Sequence, residues 1–345
     1  MTPNLRVRVL SYRGPDASAT DRCRYDVLVR QGRRAGWDID YLDPARPECD
    51  VAVLPLKRRH GYAALAGRAR LVVGDITDDP FAFPSADYTP LGCMVKWPDF
   101  ARECRRIART LTRCVGVVAG SEVQAERLRA FGTRTWVLPD AILDADAAHQ
   151  AVATGREPLR LSWFGNLESL RGLAAIRDGL ERLAERGGFE LHLVTAPGTK
   201  GRWTGRWPRS AAALAATLAM PSVFRPWAAG TCARELAGTD VLLVPVPPGS
   251  PYHRAKPPGR VLTGMALGLP VVASSMPSHD ALISDGRTGF IARRIDDWVR
   301  IVEDLAREPE RRAAVGLAAR QAALPAFGEA TFATRYLEII AALAR

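Results

Sequence analysis

Residues 240–274 read DVLLVPVPPGSPYHRAKPPGRVLTGMALGLPVVAS. The apolar run 241–244 has the length of a buried strand. A Pro/Gly-rich stretch follows, then a helical pattern over 260–267, a sharp turn at Gly268 and a second apolar run at 271–273. Strand, loop, helix and strand in that order make a βαβ unit and so a parallel sheet. A connection as long as 245–259 inside such a unit is usually functional. It carries Arg254 and Lys256 just ahead of the helix that Arg260 opens. Cations and helix N-terminal amides therefore converge, which suits an anionic group.

The same alternation runs outward in both directions. Strand patterns at 159–164, 190–195, 222–224 and 289–291, with helical patterns at 172–186 and 295–307, complete one series. A second series lies upstream: strands at 6–10, 37–41, 51–54, 71–74, 115–119 and 135–138, with helices at 21–35 and 100–113. The fold class is α/β, with two Rossmann-like domains. Residues 141–158 lack a strand pattern and are rich in Ala and Asp, placing the boundary between domains 1–150 and 151–345. The last helical pattern, 330–343, follows a break at 325–328, and either its own domain or the first one would accommodate it.

With 345 residues, 47% hydrophobic and 25% charged, the chain is neither disordered nor collagen-like. Its net charge of +11 favours a polyanionic partner, but only Lys57, Lys96, Lys200 and Lys256 are lysines. The arginines are spread evenly through an Ala-rich chain, so the charge does not mark a nucleic-acid arm, and no nucleic-acid motif is present. The densest basic cluster, TKGRWTGRWPRS at 199–210, is read either as a solvated loop or as a contact for an anionic substrate or membrane headgroups. The cysteines at 23, 49, 93, 104, 114 and 232 have neither zinc nor redox spacing. The start has no signal-peptide pattern and no apolar run spans a bilayer, so the expected location is cytoplasmic, either free or in peripheral contact with the inner face of an anionic membrane.

Ligands of open parallel sheets sit beyond the carboxyl ends of strands. In the first domain that edge holds SYRGPDASAT, where Gly14 permits close approach and Arg13, Arg22 and Arg24 supply cations. It also holds GDITDDPF, whose Asp75 and Asp78 are the candidate catalytic carboxylates; alternatively Asp78 or Asp79 caps a turn and Asp75 alone faces the cleft. Ser121 and Gln124 form an S-x-x-Q capping pattern, so Ser121 is read as structural. In the second domain, LSWFGNLESLRGL puts Gly165 and Asn166 after a strand and Arg171 near the next helix, a pattern suited to a diphosphate. Trp227 in FRPW would stack on a base or fill the core.

These residues resemble the GT-B glycosyltransferases, in particular the large retaining group 1, family 4-like enzymes that build bacterial surface polysaccharides and glycolipids. The resemblance is carried by WFGNLESLRGL, AGTDVLLVPV, GMALGLPVVAS and LISDGRTGFIA, and more loosely by SATDRCRY, GDITDDPF and VVAGSEVQAERLRAFG. It implies two Rossmann-like domains facing a cleft, with the nucleotide-diphosphate sugar on the second and a saccharide, lipid-linked or natural-product acceptor on the first. Gly165, Asn166, Arg171 and Lys256 would meet the diphosphate, Trp227 would lie near the base, and Arg254, Arg260 and Thr263 would complete the donor side. Arg13, Gly14 and Arg22 would line the acceptor side. No cofactor is implied beyond the donor, and metal-independent transfer with retained configuration is expected.

The chain departs from that family at three places. Its usual glutamates, separated by seven residues, fall at Ala255 and Thr263, and Pro80 stands near the position of a His. Two other readings therefore stand beside transfer: a catalytically inactive GT-B-like partner or scaffold, and a sugar-nucleotide epimerase.

Overall fold

The computed structural model describes residues 5–11, 18–43, 48–56, 68–83, 85, 88–152, 155, 157–196, 215–216 and 220–345. The expected Arg13 and Gly14 and the basic cluster 199–210 lie outside the described residues. All twelve expected strands are present, as β1 Val7–Val9, β2 Ile39–Tyr41, β3 Cys49–Pro55, β4 Ala69–Ile76, β5 Gly116–Ala119 and β6 Thr135–Val137 in one sheet. A second sheet contains β7 Leu159–Phe164, β8 Phe189–Thr195, β9 Ser222–Pro226, β10 Val241–Val244, β11 Val271–Ser274 and β12 Phe290–Ala292. Every pairing is parallel, in the orders β2-β1-β3-β4-β5-β6 and β12-β11-β10-β7-β8-β9. Strands such as β10, VLLV, are apolar throughout because helices cover both faces of a parallel sheet.

Each sheet reverses its direction of growth once, between β1 and β3 and between β7 and β10. Those switch points, at the carboxyl ends of the strands, are where an open α/β sheet leaves a crevice. The connections there are set by close packing. A Cβ on Gly264 of the Gly259–Ala266 helix would stand 2.5 Å from Val271 Cγ2 and 2.6 Å from Leu242 Cδ2, so this helix lies directly on the sheet.

The sequence pattern left the last helix unplaced, and the structure sends it to the first domain. Pro325 and Gly328 do not end the preceding helix early; Pro309–Phe327 runs to the residue before Gly328, and Glu329–Ala344 crosses back. There Phe332, Tyr336, Leu337, Ile339 and Ile340 are buried with Val7, Val9, Tyr25, Val27 and Leu28. Glu329 secures the crossing: its carboxylate accepts from Gln31 Nε2 at 2.8 Å and from the Asp144 amide at 3.2 Å, and pairs with Arg30 at 2.6 Å. Among its described residues the connection between the sheets is strand-free, as expected, and holds one short helix, Asp144–Ala147. Arg320 ties it to the second domain by donating to the carbonyls of Ala147, His149 and Ala266.

Candidate active site

The second sheet supplies a ring of cations at its switch point. Beyond β7, Gly165 takes φ 155°, and a Cβ there would press on Trp163 at 3.2 Å. Asn166, expected at the diphosphate, is here the N-cap of the next turn. Its side chain caps the Leu167–Leu170 turn, accepting from Ser169 N at 2.9 Å and from Ser169 Oγ at 2.6 Å. The cap aims the following helix, Arg171–Ala175, at the end of β10. A Cβ on Gly172 would lie only 2.2 Å from the Pro245 carbonyl oxygen, so glycine permits this approach. Arg171 is thereby buried, and desolvation lowers its guanidinium to about 10.

Arg260 arrives from the neighbouring helix and donates through Nη2 to the same Pro245 carbonyl at 3.4 Å. Burial lowers it to about 10 as well, and its Nη1 is buried without a hydrogen-bond partner among the described residues. The helix it opens has no side-chain cap, since Pro258 stands at the N-cap, and its first amides are therefore left for another acceptor. Between these groups lies buried His253, whose Nδ1 contacts Ser250 Oγ at 2.8 Å. Desolvation first, and then Lys256, Arg171 and Arg260, lower His253 to about 3, so it is neutral at pH 7. Lys256 Nζ sits 4.8 Å above the Tyr252 ring. Three cations and one uncapped helix thus act on a neutral imidazole, an arrangement suited to an anion.

The first domain meets this ring across the cleft. Ser121 caps the Glu122–Arg129 helix, accepting from the Gln124 amide, and donates its hydroxyl to the Ala255 carbonyl at 2.7 Å. It is structural, as expected, but as a bridge between the sheets as well as a cap. Asp78, exposed at the end of β4, acts on His253 through its charge, opposing the cations. Asp79 is the turn residue: it accepts from the Phe81 amide at 2.9 Å and pairs with Arg127 at 2.6 Å.

Asp75 requires a correction. It does not face the cleft; it is 1% exposed and receives hydrogen bonds from Arg24 Nε and Nη2, Tyr25 OH and Tyr336 OH between 2.7 and 3.0 Å. A carboxylate so saturated is a structural anion, and of the expected pair Asp78 alone is accessible. Trp227 and Arg22, expected on the donor and acceptor sides, face one another: the guanidinium lies 5.2 Å from the ring centroid. Thr263 donates to Gly259 O at 3.0 Å within its own helix, and Arg254 is exposed at the end of the short Pro251–Arg254 helix. Sequence reasoning missed the Arg24, Tyr25, Asp75 and Tyr336 cluster because its members come from three separated segments. It also passed over Asp140, which accepts from Arg24 at 3.1 Å; burial raises its carboxyl above the ordinary range.

Residues 176–341 match the family described as glycosyl transferase-like. Solved structures place the whole chain on one fold. Anabaena Alr3699/HepE in complex with UDP-glucose is 14% identical with a TM-score of 0.68, covering 98% of this chain and all of that one. This chain has the GT-B fold, and its second half matches the glycosyl transferase-like family. Sucrose-phosphate synthase from Thermosynechococcus elongatus has the same fold, at 12% identity, TM-score 0.74 and 98% coverage of both chains. TarM from S. aureus, solved with Fondaparinux, alpha-GlcNAc-glycerol and UDP, matches at 12% identity and TM-score 0.60, over 84% of this GT-B chain and 55% of its own. No curated protein matches the sequence.

Proposed function

We propose that the protein transfers a sugar from a nucleotide-diphosphate sugar to a saccharide, lipid-linked or natural-product acceptor in the synthesis of a cell-surface polysaccharide or glycoconjugate. One observation carries the reading: Arg171, Lys256 and Arg260 surround His253 beside the uncapped N-terminus of the Gly259–Ala266 helix. In the transfer, the bond between the sugar's anomeric carbon and the diphosphate oxygen breaks, and the acceptor hydroxyl oxygen bonds to that carbon and loses its proton to the departing diphosphate or to solvent. The nucleoside diphosphate leaves with the negative charge. Arg171, Lys256, Arg260 and the helix amides would stabilise that charge as it develops, the task that permits metal-independent transfer. Asp78, from the first domain, would orient the acceptor or the sugar hydroxyls. Arg22 against Trp227 would close the base end of the cleft. Retention of configuration rests on the resemblance to the retaining families.

A specific observation favours a second reading, an inactive nucleotide-binding partner. Ala255 is fully buried and Thr263 is bonded within its helix, so neither position supplies the ribose or sugar contact of a glutamate. A thermal-shift series with UDP, GDP, ADP, CDP and dTDP, followed by turnover with the matching sugars, tests both. A diphosphate at 100 times its Kd stabilises by about 2.7 kcal/mol, a shift of several degrees. A shift with turnover supports transfer, release of free sugar nucleotide altered at one carbon supports epimerisation, and a shift without chemistry supports the inactive reading. Absence of any shift would remove the donor site. Loss of turnover in EDTA with recovery in a divalent cation would overturn metal independence.

A further inference from the structure

The Pro90–Leu111 helix of the first domain carries a surface that the cleft does not use. Positions 91, 94, 95, 98, 102, 105 and 109 recur at helical spacing of three and four and so share one face. The opposite face, with Phe100, Ile107 and Leu111, is buried in the first domain. The shared face is divided along its length. Its first two turns expose Leu91 by 57%, Met94 by 73% and Val95 by 57%, flanked by Trp97 at 54%. Past Pro98 the same stripe becomes exposed Arg102, Arg105 and Arg109. Arg102 lies 3.4 Å from Asp99, whereas Arg105 and Arg109 make no ion pair among the described residues. Leaving three large apolar side chains in water at one spot, beside Trp97, which rests one side on Phe83 and Phe100, is costly, and such clusters mark contact surfaces.

We propose that this stripe docks the protein on an anionic lipid surface. Apolar residues and an indole at one end would enter the acyl boundary, and the arginine row would lie on the headgroups, over a helix of about 33 Å. A protein partner's acidic groove would match the arginines but not the adjacent uncharged quartet; a bilayer matches both, because it is apolar below and anionic above. Orientation supports the assignment. The helix follows β4, so its apolar start stands at the carboxyl edge of the first sheet, on the side of the cleft. Docking there turns the acceptor side of the cleft towards the lipid. The inference deepens the proposed transfer by favouring a lipid-linked acceptor, but lipid binding itself does not depend on that reading. Among the described residues no helix is long and apolar enough to cross a membrane, so the contact is at the surface.

The test is co-sedimentation of the full chain with phosphatidylcholine vesicles containing 30% phosphatidylglycerol, against phosphatidylcholine alone. Two variants are compared, Leu91→Ser/Met94→Ser/Val95→Ser and Arg105→Gln/Arg109→Gln, all at exposed positions, with thermal melts to show that they fold. The wild type is expected to partition to the anionic vesicles. The arginine pair variant should lose about thirtyfold in partition, at about fivefold per charge, and the apolar variant should lose at least tenfold, while the response of both to UDP stays that of the wild type. Wild-type protein left in the supernatant, or variants that bind as well as it does, would overturn the docking surface and leave the donor site untouched. A wild-type dimer that the apolar variant converts to monomer would overturn it too, by assigning the face to a second copy. Missing nucleotide shifts with intact vesicle binding would instead sink the transferase reading alone.

Discussion

The Tyr336 hydroxyl donates to Asp75 Oδ2 at 2.7 Å, joining the last helix of the chain to the end of β4. Both groups are buried, and Arg24 lies between them and the interdomain connection through Leu138 O and Asp140. Removing a partner from a buried ion cluster costs more than the cluster contributes, because the remaining charge is left uncompensated. Asp75→Asn should therefore destabilise by about 3–5 kcal/mol, and Tyr336→Phe by about 1–3 kcal/mol. Urea unfolding gives the first quantity. Turnover per folded molecule should hold near the wild-type value; a large fall in Asp75→Asn without loss of stability would return Asp75 to the chemistry.

The cation ring yields a binding prediction. A hydrogen bond to a charged group contributes about 1.5–3 kcal/mol, so Lys256→Ala or Arg260→Ala should each raise the Kd for the preferred diphosphate about 10- to 150-fold. Calorimetry measures it. Unchanged affinity in both variants would place the anion elsewhere.

His253 and His279 are both kept neutral by burial, with values near 3 and 4 against 6.5 when unperturbed. Their folded forms bind fewer protons than the unfolded chain below pH 6.5. Their contribution is thus complete above that pH and declines as the pH falls towards 4, by about 1.4 kcal/mol per unit for each histidine. The variant His253→Asn should show a shallower loss of urea stability between pH 6.5 and 4. Parallel curves for wild type and variant would contradict the neutral assignment.

Gly172 is a fourth point of attack. A methyl group there meets the Pro245 carbonyl, so Gly172→Ala should cost about 1–3 kcal/mol and shift Arg171. Weaker diphosphate binding should accompany the lower Tm. Preserved stability would show that the two elements can separate freely.

The strands were legible because each is a short apolar run between turn residues, a signal contained in neighbouring positions. The grouping of Arg171, Lys256 and Arg260 was legible for the same reason: they lie in or just after two loops that follow strands, whereas buried His253 between them was not singled out. Asp75 was misread because a carboxylate after a strand looks the same in sequence whether it faces a cleft or an arginine. What separates the two is a tyrosine 261 positions away.

By itself, then, the sequence determined two parallel α/β domains and the loops that carry the cations, since both follow from local patterning and strand-to-helix order. Tertiary structure alone decided that the last helix returns to the first domain, that Arg22 covers Trp227 and that Asp78 rather than Asp75 reaches the cleft. Those outcomes depend on burial and on pairings between distant segments, and burial is a property of the packed whole.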